Sequence, residues 1–302
     1  MSIDAEIAVG APVSGPPPES PDAPIRARRA RIDGGLWVSL AVLLVLLLIG
    51  FIGPLLLPFD PASVSLLDRL KPPGSVLADG SVAWLGTDAL GQSLTTLMVN
   101  GLRTSLVVAG AATIVAAVVG VALGVIAGYS GKWVDAVVSR VVEIVLVFPA
   151  ILLAIVIAGL LGPSILNLIL VLAVTRWVVF TRVTRASTLS LRERDWVKSS
   201  RVLGVASPLI VLRHILPFLI GPLATVATLE FAAFVMAEAS LSFLGIGLPA
   251  SAVSLGKTIS EGRDHLVDAY WITTYPGLLL VILVVTIGLL GDSLSHRFGK
   301  VR

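Results

Sequence analysis

Charged residues divide this chain into long apolar runs. Uncharged stretches occupy residues 34–59, 104–131, 144–175, 214–229 and 269–291. Inside a bilayer every backbone N–H and C=O must be satisfied within the protein, which a helix does by itself. Crossing the hydrocarbon takes about 20 mainly apolar residues. The third run is too long for one crossing, and Gly162-Pro163-Ser164 divides it into two helices joined by a tight outer turn. The run from residue 214 continues to about residue 245, interrupted only by Glu230 and Glu238. The pattern therefore predicts six spans, near 36–57, 104–128, 137–160, 165–184, 218–243 and 271–292, in an all-α polytopic membrane protein.

Composition agrees. The chain of 302 residues is 56% hydrophobic and 14% charged, with a mean hydropathy of +0.98, values foreign to a soluble protein of this length. Lysine and arginine placement sets the orientation, because positive residues are retained on the cytoplasmic side. With six spans both termini share a side. That side carries sixteen basic residues, in the N-terminal arm, the region 129–140, the loop after the fourth span and the C-terminal tail; the other side carries five, Arg69, Lys71, Arg103, Lys257 and Arg263. Both termini are expected in the cytoplasm, in a cell (inner) membrane, with residues 59–102 as a sizeable outer loop. The sequence pI near 9.5 then reflects topology. It does not argue for nucleic acid, since the basic residues lie at membrane exits with no aromatic-interleaved patch. Residues 1–33, rich in proline, alanine, serine and charge, read as a disordered cytoplasmic tail ahead of a 34–302 membrane domain. The first apolar run starts too late and is too long for a signal peptide, and is expected to stay as the first span. With no cysteine, disulfides, thiolate metal sites and cysteine nucleophiles are excluded.

The segment Arg182 to Pro217, between the fourth and fifth spans, has an internal order that a basic loop does not need. A short helical stretch from Asp195 to Leu203 stops at Gly204, and glycine suits the left-handed residue that closes a helix. A second stretch starts at once, with Ser207 as a candidate N-cap and Pro208 at the first helical position. Leu216-Pro217 then leads into the next span. A helix, a glycine bend and a second helix at a membrane exit make a rigid plug suited to passing force to a soluble partner.

At these residues the chain resembles the permease subunits of ABC importers. Lys198-Ser199-Ser200, Gly204, His214 and Leu216-Pro217 fall at the spacing of that family's EAA loop, Glu-Ala-Ala-x3-Gly-x9-Ile-x-Leu-Pro. Leu85 to Gly91 (LGTDALG), Glu238 to Gly247 (EASLSFLGIG), Ser260-Glu261-Gly262-Arg263 and Gly291-Asp292 resemble the C-type permeases of dipeptide, oligopeptide and nickel importers. Each motif is weak by itself; five in the family's order, from about residue 34 to the end, are specific. The chain also departs from the pattern. Lys198 replaces the glutamate, serines replace both alanines, His214 sits at the isoleucine position, and Gln92-Ser93 stand where Arg-Asp is usual.

The remaining chemistry is sparse. His214, His265 and His296 have no partner at metal-ligand spacing and read as surface or loop positions. Gly120, Gly124 and Gly128 form overlapping GxxxG patterns for close helix approach. No GxxxxGK[ST], Ser/His/Asp or HExxH arrangement appears, so no ATP site or catalytic residue is expected on this chain. Glu230 and Glu238 fall inside a span, where a carboxylate is costly and faces protein or water. For Glu230 two readings stay open, a place on the substrate path or a glutamate tying helices together. Glu238 reads as structural, at the outer gate. Arg176 reads as a snorkelling or paired arginine. Asp88 reads as an N-cap before a helical pattern, and the resemblance adds a role in shaping the outer mouth.

The resemblance implies a type I ABC importer permease fold. It also implies a second homologous permease beside this one, two cytoplasmic ATPase subunits carrying ATP and magnesium, and an extracytoplasmic binding protein that delivers a short peptide. Docking to the ATPase would fall on Asp195, Lys198, Ser199, Ser200, Gly204, His214, Leu216 and Pro217. Nickel or a nickel chelate is the alternative substrate within the family. An ion-coupled secondary transporter also carries polar residues at mid-membrane, but with internal repeats and broken helices and no need of a docking loop. A membrane-embedded enzyme would gather its catalytic groups at one depth, whereas the charges here are scattered over different helices.

Overall fold

The computed structural model of the chain describes residues 29–61 and 63–299. Sides are named here by the charge asymmetry, outer for the side of residues 57–93. Among the described residues five helices are long and apolar enough to cross a membrane: α1 (Arg29–Leu56), α2 (Leu94–Ser130), α5 (Ile165–Arg192), α8 (Leu216–Phe243) and α10 (Trp271–Gly299). The expected disordered arm lies outside the described residues as far as residue 28, and α1 already begins at Arg29.

The third predicted span is not one helix. It is α3 (Lys132–Val147) and α4 (Ala150–Leu161), bent by 88°. Pro149 has no N–H to give the helix and disfavours helical backbone at the residue before it. Phe148 accordingly sits extended, at φ −88° and ψ 132°. The bent pair still has to carry the chain across. Helices α2 and α5 run parallel, Gly120 beside Phe180, Gly124 beside Thr184 and Gly128 beside Thr188, so the end of α2 and the start of α5 lie on opposite sides.

Among the described residues the α2–α5 contact is the most extensive between two helices. A Cβ on Gly124 would come within 2.6 Å of the Thr184 Cβ and 2.7 Å of the Thr181 carbonyl oxygen. The GxxxG face is thus the seam that lets the two backbones touch. Around it, Leu102, Leu106, Leu172, Phe180, Phe234 and Val235 form the buried core shared by α2, α5 and α8.

On the outer side α2 starts ten residues earlier than the apolar run implies. Before it, β1 (Ser75–Val76) and β2 (Val82–Ala83) form a small antiparallel hairpin. Asp68 anchors this segment. Its carboxylate accepts from Ser65 Oγ (2.6 Å), Lys71 Nζ (2.7 Å) and the Ala78 amide (2.9 Å). The Lys71 bond, then Ser65, holds the Asp68 carboxyl below the usual carboxylate range. A short helix, α9 (Leu255–Gly262), packs between α8 and α10; the Ser254 hydroxyl caps it by accepting from the Lys257 amide.

Candidate functional site

Helix α5 continues past the predicted membrane exit to Arg192, and the chain then turns into α6 (Asp195–Val202). Gly204 closes α6 at φ +78°. The Gly204 amide donates to Arg201 O and the Val205 amide to Ser200 O, each at 3.1 Å. These two bonds are the Schellman pair, which satisfies carbonyls that a helix end otherwise leaves bare. Next comes α7 (Ser207–Ile210). Its N-cap is Ala206, with no side-chain capping bond, so Ser207 does not cap it but is its first residue. Pro208, lacking the N–H, fits the first turn, where that donor has no helical partner. A π-helical turn, Val211–Ile215, joins α7 to α8, which begins at Leu216-Pro217.

The hairpin so formed is fixed on one side and bare on the other. Val197, Ile210 and Ile215 are fully buried. Trp196 packs with tilted rings against His214 (5.9 Å) and Phe218 (5.3 Å), joining α6 to the π-turn and to the first turn of α8. The Arg201 guanidinium lies 5.2 Å over the Tyr129 ring at the end of α2, a contact worth about 0.5–1 kcal/mol at exposed sites. Arg192 donates to the Gly128 carbonyl at 3.0 Å. Asp195, Lys198, Ser199, Val202 and Leu203 face outward, and Val202 and Leu203 are 87% and 81% exposed. Ser200 turns inward enough to donate to Trp196 O at 2.9 Å. Lys198 pairs with Glu193 at 3.4 Å, not with Asp195, because Glu193 lies just before the helix and reaches back to it. Arg192 and then Lys198 hold the Glu193 carboxyl below its ordinary value.

The three singled-out carboxylates do not form one site. Glu230, in the middle of α8, is buried and accepts from Arg176 of α5 twice, from Nε at 2.5 Å and Nη2 at 3.0 Å. Glu238 lies eight residues on, about 12 Å along the helix. It is fully buried and accepts from Ser105 Oγ of α2 (2.6 Å) and Ser242 Oγ (2.7 Å). Asp88 caps no helix. It is buried in the outer loop, six residues before α2, where its Oδ1 accepts from the amides of Leu90 (2.9 Å) and Gln92 (2.7 Å). An aspartate that bonds its own backbone two residues on makes a turn, and burial pushes the Asp88 carboxyl up. Its neighbour Thr87 is bonded to Asp68 O and the Lys71 amide, and accepts at its carbonyl from Trp271 Nε1 (3.1 Å), so LGTDALG locks the outer loop onto the start of α10.

Sequence reasoning missed Trp196 and Tyr129 as parts of the hairpin and left the partner of Arg176 unnamed. The only local sign was composition, since an arginine and a glutamate at similar depth in two spans are candidates to meet. Among the described residues no group of three His, Cys, Asp or Glu side chains is placed to hold a metal ion.

Comparison with known proteins fits this architecture. Residues 120–300 match the family described as binding-protein-dependent transport system inner membrane component, and residues 28–73 match the N-terminal TM domain of oligopeptide transport permease C. The dipeptide transport system permease protein DppC of Alkalihalophilus pseudofirmus is 35% identical over 257 residues, covering 85% of this chain and 83% of its own. The di/tripeptide transport system permease protein DppC of Pseudomonas aeruginosa is 33% identical over 85% of this chain and 86% of its own. The oligopeptide transport system permease protein OppC of Mycobacterium bovis is 34% identical over 85% and 87%. Among solved structures, an inward-facing form of the MetNI methionine ABC transporter shares the fold at a TM-score of 0.54 and 22% identity, over 67% of this chain and 96% of that one. The helical framework, the ordered motifs and these matches lead to one conclusion: this chain belongs to the inner-membrane components of binding-protein-dependent transport systems, the ABC importer permeases, in their C-type group.

Proposed function

We propose that this chain is one of two permease subunits in an ATP-driven importer of di- and oligopeptides. It forms half of the translocation path beside a second, homologous permease. An extracytoplasmic binding protein delivers the peptide to the outer face. Two ATPase subunits dock on the opposite face, where both termini lie, and carry ATP and magnesium; this chain hydrolyses nothing itself. The peptide assignment is supported by the relatives, whose names specify dipeptide, di/tripeptide and oligopeptide transport.

The observation that carries the docking role is the α6–α7 hairpin. Its inner face is clamped to α2, α5 and α8, and its tip presents two nearly fully exposed aliphatic side chains, Val202 and Leu203. Large apolar side chains exposed at a loop tip gain most by entering a partner's groove. Asp195, Lys198 and Ser199 rim that contact, Ser200 and Gly204 shape it, and His214, Leu216 and Pro217 transmit it to α8. Closing the ATPase pair moves the hairpins, and the path changes sides because the two states bind the ATPase dimer differently. Glu230 is assigned to the path; Glu238 and Asp88 are assigned to holding the outer gate and outer loop.

The test is reconstitution of the complete importer in proteoliposomes with the double variant Val202→Asp/Leu203→Asp. The variant is expected to insert and pair with the second permease but to lose co-purifying ATPase and at least about tenfold of ATP-driven peptide uptake. ATPase retention at the wild-type level would remove the docking assignment. Wild-type uptake of a nickel chelate in place of peptides would reassign the substrate.

A further inference from the structure

The Arg176–Glu230 pair has an unused side. Glu230 lies about 20 Å along α8 from either end, and Arg176 about 17 Å along α5 from its outer end. Against a hydrocarbon layer about 30 Å thick, both sit near mid-membrane. The two side chains are unequally covered, 8% exposed for Glu230 and 29% for Arg176. Both Glu230 oxygens are engaged by the bidentate bond. Arg176 is not. Its Nε and Nη2 serve Glu230, while Nη1 makes no hydrogen bond among the described residues. A guanidinium carries five N–H donors in a planar fork, so one edge is spent on Glu230 and the other is free.

An exposed cationic edge at this depth does not face lipid. Charged groups at the bilayer centre are turned to protein or to a water-filled cavity. Glu230 fixes the direction of that edge, because the fork is planar and one side is already clamped. On α8, Ala227 and Ala233 lie one turn to either side of Glu230 on the same face and are half-buried, with side chains too short to cover the pair. What remains is a fixed, partly desolvated N–H pair on a side chain 29% exposed. Its matching ligand is a carboxylate.

We infer that the free edge of Arg176, positioned by Glu230, is a binding site within the membrane for the C-terminal carboxylate of a passing peptide. The inference rests on the peptide-importer reading above. The site gives the path a way to hold a zwitterion by its negative end at the depth where desolvating that carboxylate costs most. Release follows when the path opens to the other side and water replaces the guanidinium.

The test uses the complete importer in proteoliposomes, with trialanine and its C-terminal amide as probes. Both peptides meet the same binding protein in wild type and variant, so the change in their uptake ratio reports on the permease alone. Wild type should favour the free carboxylate. Arg176→Lys keeps the charge opposite Glu230 but loses the fork, and should cut that preference about tenfold while uptake of the amide persists. An unchanged ratio, or equal loss for both peptides, would show that the pair only ties helices together. The swapped variant Arg176→Glu/Glu230→Arg rebuilds the tie with the cation on α8; assembly without the preference is expected, and recovery of the preference would overturn the site. Because the chain has no cysteine of its own, Ala233→Cys adds an independent reading. It should react with a charged, membrane-impermeant thiosulfonate during turnover, and trialanine should slow the reaction; no reaction in any state overturns an aqueous face here. Absence of ATP-driven uptake of either peptide by the wild type overturns the peptide reading itself, and the site with it.

Discussion

Gly204 shows how one residue can matter with no side chain to pack. Beyond its chain neighbours no atom lies within 4 Å of where its Cβ would be, yet its φ is +78°. The demand is conformational: an L-residue in the left-handed region costs roughly 1–2 kcal/mol, more for a β-branched one, and asparagine tolerates it best. We expect Gly204→Val to loosen the hairpin and lower both ATPase co-purification and coupled uptake, and Gly204→Asn to stay near wild type in both assays. Equal behaviour of the two variants would mean that the bend does not govern docking. This requirement was legible in the sequence, because a glycine between two helical stretches signals positive φ. The setting of Lys198 was not. It faces Glu193 rather than Asp195, and exposed pairs of this kind contribute little, so the reversed charge at the family's glutamate position remains available to a partner.

At the scale of elements, the α2–α5 seam and the α3–α4 bend were read with unequal success. Gly120, Gly124 and Gly128 recur at helical spacing, and a row of small residues inside an apolar span means close approach. Gly124→Val would drive a branched side chain into Thr184 and the backbone of α5. Such overpacking costs about 1–3 kcal/mol, and should appear as a lower Tm of the purified permease. Gly288→Ala in α10, with open space around it, serves as the control and should leave Tm unchanged or slightly higher. An unshifted Tm for Gly124→Val would show that the seam yields. The bend was present in the sequence as Pro149 but did not stand out. A proline within an apolar run can kink a helix, end it or be absorbed, and neighbouring helices decide which. The caps at Ser207 and Asp88 failed for a related reason. Both are residue types that cap helices and equally form local turns, and the backbone around them chooses.

For the whole molecule, six crossings and the lysine and arginine asymmetry imply that residues 75 and 199 lie on opposite sides. Ser75→Cys and Ser199→Cys, introduced into a chain with no other cysteine, should label with an impermeant maleimide from the outside and from the cytoplasm, respectively. Labelling of Ser75→Cys from the cytoplasm would reverse the topology and, with it, the assignment of the docking face. By itself the sequence determined the class, the number of crossings, the expected orientation, the helix–glycine–helix hairpin and the small-residue seam. Those properties are sums or spacings of local quantities: apolar transfer energy over about 20 residues, charge near a membrane exit, backbone freedom at a glycine. Only the tertiary structure decided that Arg176 meets Glu230 across 54 positions, that Trp196 closes on His214 and Phe218, and which groups surround Glu230, Glu238 and Asp88 in their three separate settings. Those outcomes depend on which helix faces lie against each other. Many helix pairings bury similar apolar area in a membrane, so the choice falls to close packing and to the few polar groups that must find partners there.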